Sequence, residues 1–279
     1  VRPFAAIGAE LNIETIEPVQ PGTRRRVTTV AQGIALRETY AIDVLEKPGR
    51  ESYQLVVRAD AVKNLEFQAV DVRPDVRHLV LMVRSLHAEV VPTEKRKFLC
   101  GHDERHWFVA NLPRTTITNV AEAMESLKPA GLAQMQRRLG VRARDWNRRK
   151  NAGFRRQGEW FFVPMPDFEP ERGQMVLHNE PIRRGAGKPH TIEFLYRTGG
   201  ETVWVCPLRP NGLTEEQYRK LIDSKPSAAG WPWRMMKRNP RVYAKGRVRH
   251  ADHATIVLPF WHLVRMNTEE VGRNVAFLD

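Results

Sequence analysis

Five of the nine histidines fall in two short segments, residues 98–110 (FLCGHDERHWFVA) and 249–262 (RHADHATIVLPFWH). Both read as strand, polar tip, strand, which sets His102, Asp103, Glu104, Arg105 and His106 at one sheet end and His250, Asp252 and His253 at another. Paired imidazoles beside an arginine suit phosphodiester cleavage. One imidazole deprotonates a hydroxyl or water, the other protonates the leaving oxygen, and the guanidinium stabilises the added negative charge. The candidate catalytic set is therefore His102, His106, His250, His253, Arg105 and Asp252, and the tips are expected to converge on one cleft. A metal-assisted route would instead give Asp103, Glu104 or Asp252, with a histidine, to a hard divalent cation. The sequence names no particular metal.

Narrower motifs fit poorly. A zinc protease needs His-Glu-x-x-His on a helix, whereas HDERH has glutamate in its third position and strand-like flanks. His253-Ala254-Thr255 has the His-x-Thr form of two-histidine phosphoesterases, but the form occurs once. Cys100, His102, His106 and the distant Cys206 form a conceivable zinc set without any Cys-x-x-Cys spacing behind it.

The second chemical feature is the run 137–156, RRLGVRARDWNRRKNAGFRR, with nine basic residues and one acid, Asp145. A core cannot hold that many guanidinium groups, whereas phosphates complement them and aromatic rings stack on bases. Arg142, Arg144, Trp146, Arg148, Arg149, Lys150, Phe154, Arg155 and Arg156 are the candidate nucleic-acid contacts, with Arg183 and Arg184 in the glycine-containing stretch 179–190. Residues 231–249 hold seven further basic residues, two tryptophans and a tyrosine without an acid, and Arg24, Arg25 and Arg26 form a basic triplet.

The whole chain agrees in sign. Across 279 residues, 45 Lys and Arg oppose 32 Asp and Glu, a net charge of +13 that favours nucleic acid, anionic surfaces or acidic proteins as partners. No apolar stretch is long enough for a membrane helix, and two cysteines give no disulfide framework, so a cytoplasmic protein is expected. The expected function is nucleic-acid binding, RNA or single-stranded DNA before duplex, because aromatics between arginines suit unstacked bases. A nuclease or phosphodiesterase is the enzymatic alternative. A non-catalytic scaffold component of a larger nucleoprotein complex is the third.

The elements that must position these residues read as an α+β fold, β-rich and mostly antiparallel, with two or three short helices. Strands are expected at 27–30, 40–45, 53–57, 65–72 and 76–83, and again at 159–163, 191–196, 201–206, 246–250, 255–258 and 262–266. Between them, Thr118 or Asn119 caps one helix, Pro129 opens a second ending near Gly140, and Thr214 with Gln217 makes a capping box for a third. This divides the chain into a β-rich N-terminal region (1–112), a helical basic segment (113–156) and a β-rich C-terminal region (157–279). A single interlocked domain over 1–279 is equally compatible.

Overall fold

The computed structural model describes residues 1–18, 27–47, 49–86, 95–184 and 188–269. The basic triplet at 24–26, His87 and the glycines at 185 and 187 lie outside them. The fold class is as expected, with 47% strand, 21% helix and mostly antiparallel sheets. The chain forms two compact units, Val1–Ala130 with Thr268 and Glu269, and Gly131–Asn267. The boundary thus cuts through the basic helical segment expected to stand apart.

The first unit contains α1 (Arg2–Ala6), β1 (Leu11–Ile16), α2 (Val30–Glu38), β2 (Tyr40–Lys47), β3 (Arg50–Arg58), β4 (Leu65–Arg73), β5 (His78–Ser85), β6 (Lys95–Asp103), β7 (His106–Asn111) and α3 (Val120–Ser126). Its strands make a sheet of order β1-β3-β2, in which β1 and β3 are parallel, and a meander β4-β5-β6-β7. Tyr53, Leu55 and Val57 of one sheet pack on Leu79, Leu81 and Val83 of the other. On the opposite faces, Ala31 and Ala35 of α2 cover Val56, and Val120 and Ala123 of α3 cover Val80 and Leu99. Central strand β3 is covered on both sides, which explains its continuous run of buried residues.

Two expectations change here. Residues 27–30 are not a strand: Thr29 caps α2, its side chain accepting from Gln32 N–H at 3.2 Å. A β-branched run that reads as a strand is in fact a helix entry, and small Ala31 and Ala35 supply the buried stripe. Asn119 does cap α3, accepting from Glu122 N–H at 2.9 Å.

The second unit contains α4 (Leu132–Arg138), β8 (Arg155–Gln157), β9 (Trp160–Pro164), β10 (Val176–Ile182), β11 (His190–Thr198), β12 (Glu201–Cys206), β13 (Arg209–Leu213), α5 (Glu215–Ser224), β14 (Arg234–Arg238), β15 (Arg241–Arg249) and β16 (Ile256–Met266). Helix α4 starts after Gly131 rather than at Pro129, the second change. Six strands run in the order β10-β11-β15-β16-β9-β8, and β13-β12-β14 form a small sheet beside α5. Trp160, Phe162, Ile192, Leu195, Ala244 and Val248 cluster as the core of the larger sheet. The ends of β10 and β16 are joined by side-chain contact. Arg184, past β10, donates to Asn267 Oδ1, and Asn267 N–H donates to Glu159 O at 2.9 Å.

Helix α5 has the capping box read from sequence, with Thr214 Oγ1 accepting from Gln217 N–H at 3.3 Å and Thr214 N–H donating to Gln217 Oε1 at 3.0 Å. Thr214→Ala is expected to lower stability by about 1 kcal/mol in a urea melt, while Thr214→Ser leaves it nearly unchanged.

Candidate functional site

The two histidine tips are hairpin turns, as expected, but they belong to different units. In the first unit, Asp103 pairs with His106 across a two-residue turn of Glu104 and exposed Arg105. His106 Nδ1 bonds Glu51 Oε1, and the second oxygen of Glu51 accepts from Trp107 N–H at 2.8 Å. His102 lies edge-on to Trp107 at 4.8 Å, while Arg77 lies over that indole at 4.5 Å. Burial, and then the Arg77 charge, hold the His102 imidazolium below its usual range. Each of these imidazoles is engaged in local packing: His106 is a carboxylate's partner and His102 an indole's neighbour.

The second tip is built differently. The turn between β15 and β16 brings His250 and His253 against His190, the first residue of β11. Ring centroids stand 4.2 Å apart for His190 and His250, 4.7 Å for His250 and His253, and 5.8 Å for His190 and His253. The strand register explains the meeting, since Thr191 pairs with Arg249 and so sets the preceding residue of one strand beside the following residue of the other. Sequence reasoning misses His190 because only this long-range pairing places it there.

His190 is 1% exposed, and neither ring nitrogen has a hydrogen-bond partner. Burial, with the neighbouring imidazoles adding to it, lowers its pKa to about 3, so the ring is neutral at physiological pH. His250 accepts at Nδ1 from Asp252 N–H at 3.1 Å and donates from Nε2 to Lys188 O at 3.3 Å. Asp252, expected among the catalytic groups, takes Lys188 Nζ on both carboxylate oxygens at 2.8 Å. Gln157 braces the turn, donating to Ala254 O at 2.7 Å.

Gly158, in the turn between β8 and β9, borders the cluster with φ at +56°. A Cβ there would stand 3.1 Å from His253 Nε2 and 3.3 Å from His190 Nε2. Among the described residues, His190, His250 and His253 alone form a group of three or more His, Cys, Asp or Glu whose ligand atoms lie within 4.8 Å of one another. Cys100, His102 and His106, the first-unit members of the zinc set, form no such group among the described residues. Both cysteines are buried free thiols.

The basic run divides into an exposed portion and an anchored one. Arg137, Arg138, Arg142, Arg144, Arg148 and Lys150 are exposed, and the Arg137 guanidinium lies over the Trp146 ring at 5.4 Å. Asp145 reaches Arg148 at 3.1 Å and Arg144 at 3.8 Å, whereas Arg138, Arg142 and Lys150 have no ion-pair partner among the described residues. The loop after α4, which carries Arg142 to Lys150, is pinned from inside. Trp146 Nε1 donates to Val141 O at 2.8 Å, and Gln136 Nε2 donates to Trp146 O at 3.0 Å.

Phe154, expected as a stacking residue, is 1% exposed and packs with Leu132, Phe161 and Val163. A ring closed off from solvent cannot receive a base, so Phe154 leaves the set of contact residues. Arg155 and Arg156 are half-buried, donating to Val257 O and, at 3.3 Å, to Gly158 O. Half-buried Arg149 lies in the same loop, Arg183 is exposed past β10, and Arg184 is the half-buried donor to Asn267.

A second patch of the same unit combines aromatics with cations. Trp204 stacks on Tyr218 at 4.6 Å, Trp231 on Trp233 at 5.8 Å, and Lys225 Nζ lies 5.3 Å from the Trp231 ring. Trp204, Tyr218 and Trp231 are half-buried.

Half-buried Trp146 combines an anchoring N–H with a ring packed beneath the Arg137 guanidinium, and the two contributions separate by substitution. Trp146→Ala is expected to cost about 1–3 kcal/mol in a urea melt, through lost packing and an unmet Val141 carbonyl. Trp146→Phe, which keeps a ring but not the N–H, is expected to recover part of that stability in the same melt. No family model, curated protein or solved structure matches the chain.

Proposed function

We propose that the second unit binds nucleic acid through the face bearing Arg137, Arg138, Arg142, Arg144, Arg148 and Lys150. The observation that carries this reading is six exposed cations, Arg137 among them, around the single acid Asp145, at the end of α4 and on the following loop that the Trp146 and Gln136 hydrogen bonds fix. A face of this kind has its charge compensated by a polyanion and loses little loop entropy on binding. Single-stranded RNA or DNA is preferred over duplex, because half-buried aromatic side chains, Trp146 beside the cations and Trp204 and Trp231 in a second patch of the same unit, suit unstacked bases. Competition of a labelled single-stranded oligonucleotide against RNA, DNA and duplex of equal length tests it. Single strands are expected to compete best, and equal competition by duplex or heparin would reduce the reading to charge attraction alone.

A second reading, phosphodiester cleavage, draws on the cluster of His190, His250 and His253. It requires turnover that falls with His253→Ala while single-strand affinity is retained.

A further inference from the structure

We infer that His190, His250 and His253 form a binding site for a single zinc-class divalent transition-metal ion. The inference is independent of the nucleic-acid reading. Three imidazole nitrogen donors without a carboxylate ligand select borderline metals such as Zn²⁺ over Mg²⁺ or Ca²⁺, which require oxygen.

Three observations support it together. The ligand atoms already lie within 4.8 Å of one another, and two of the three side chains stand on the turn between β15 and β16. His190 is almost wholly buried with both ring nitrogens lacking partners, an expensive arrangement for a side chain with two polar atoms. Packing alone gives no reason for it, whereas a metal bond through Nε2 satisfies one of those atoms. Gly158, finally, leaves open the space on which His190 Nε2 and His253 Nε2 border.

The surrounding bonds suit ligation. His250 Nε2–H on the Lys188 carbonyl is the contact that orients a histidine ligating through Nδ1, and the 3.1 Å contact from Asp252 N–H gives way on ligation. Gln157 fixes the turn that carries His253 by holding the Ala254 carbonyl. Three protein ligands leave the fourth tetrahedral position to a solvent water, the form of a site that exchanges ligands.

The test is equilibrium dialysis of the untagged, chelator-stripped full chain against Zn²⁺, with metal content measured by mass spectrometry, and Co²⁺ as a spectroscopic stand-in. One ion per chain is expected, together with the visible absorption of four-coordinate Co²⁺. His250→Ala and His253→Ala, both at half-buried turn positions, are each expected to weaken binding about 100-fold or more and to abolish that absorption. His190→Ala is expected to do the same, and circular dichroism of each variant shows that the fold remains. Substoichiometric binding, octahedral Co²⁺ spectra, or affinity unchanged in the folded His250→Ala and His253→Ala chains would overturn the assignment.

Discussion

Phe154→Ala is expected to destabilise the second unit by about 3–5 kcal/mol, the cost of emptying a fully buried aromatic site. The ring meets Phe161 edge-on at 5.0 Å and closes a small cluster with Leu132, Val163, Met135 and Leu263. That cluster joins α4 to the hairpin of β8 and β9, so the loop bearing the exposed arginines rests on it. Phe154→Leu, which keeps most of the volume, is expected to cost less than half as much. A urea melt of each variant decides the matter. An unchanged midpoint for Phe154→Ala, with a large loss of single-strand affinity, would return Phe154 to the surface role its sequence neighbours suggest.

Replacing Arg142, Arg148 and Lys150 together with alanine is expected to weaken single-strand binding at least about tenfold at low salt. It should flatten the plot of log affinity against log salt by about two units, since each lost phosphate contact removes about 0.7. Two of these residues, Arg142 and Lys150, have no ion-pair partner among the described residues, and Arg148 shares Asp145 with Arg144. None is in the core, so the melting temperature should move by only a few degrees. Anisotropy titrations at several salt concentrations read both quantities. A weaker complex with an unchanged slope would mean that the cations hold the loop rather than touch phosphate.

Local signals carry much of the fold in the sequence, and long-range pairing carries the rest. The Asn119 cap and the Thr214–Gln217 capping box are legible because each involves residues three apart. The same signal stands at Thr29 and Gln32, but the β-branched residues around it resemble a strand. Strand β16 reads as two pieces in the sequence because Pro259 interrupts it. The register with β15 jumps there, from Gly246 opposite Leu258 to Ala244 opposite His262, so the proline removes no ladder hydrogen bond.

The candidate sites show the same division. Composition identifies the exposed arginines, and spacing identifies the turn that carries His250 and His253. His190 comes from a strand 60 residues earlier, and no local pattern marks it as their neighbour. Phe154 misleads for the converse reason. Its flanking residues are basic, yet its own ring turns inward against Phe161 across the hairpin.

The most direct test of the nucleic-acid reading is the salt dependence of binding by the unaltered chain. A labelled single-stranded oligonucleotide is titrated with protein from low to physiological salt. With six exposed cations on the proposed face, saturable binding is expected with a log–log slope of about −2 to −4. Absence of saturable binding at low salt, or a slope near zero, would contradict the account.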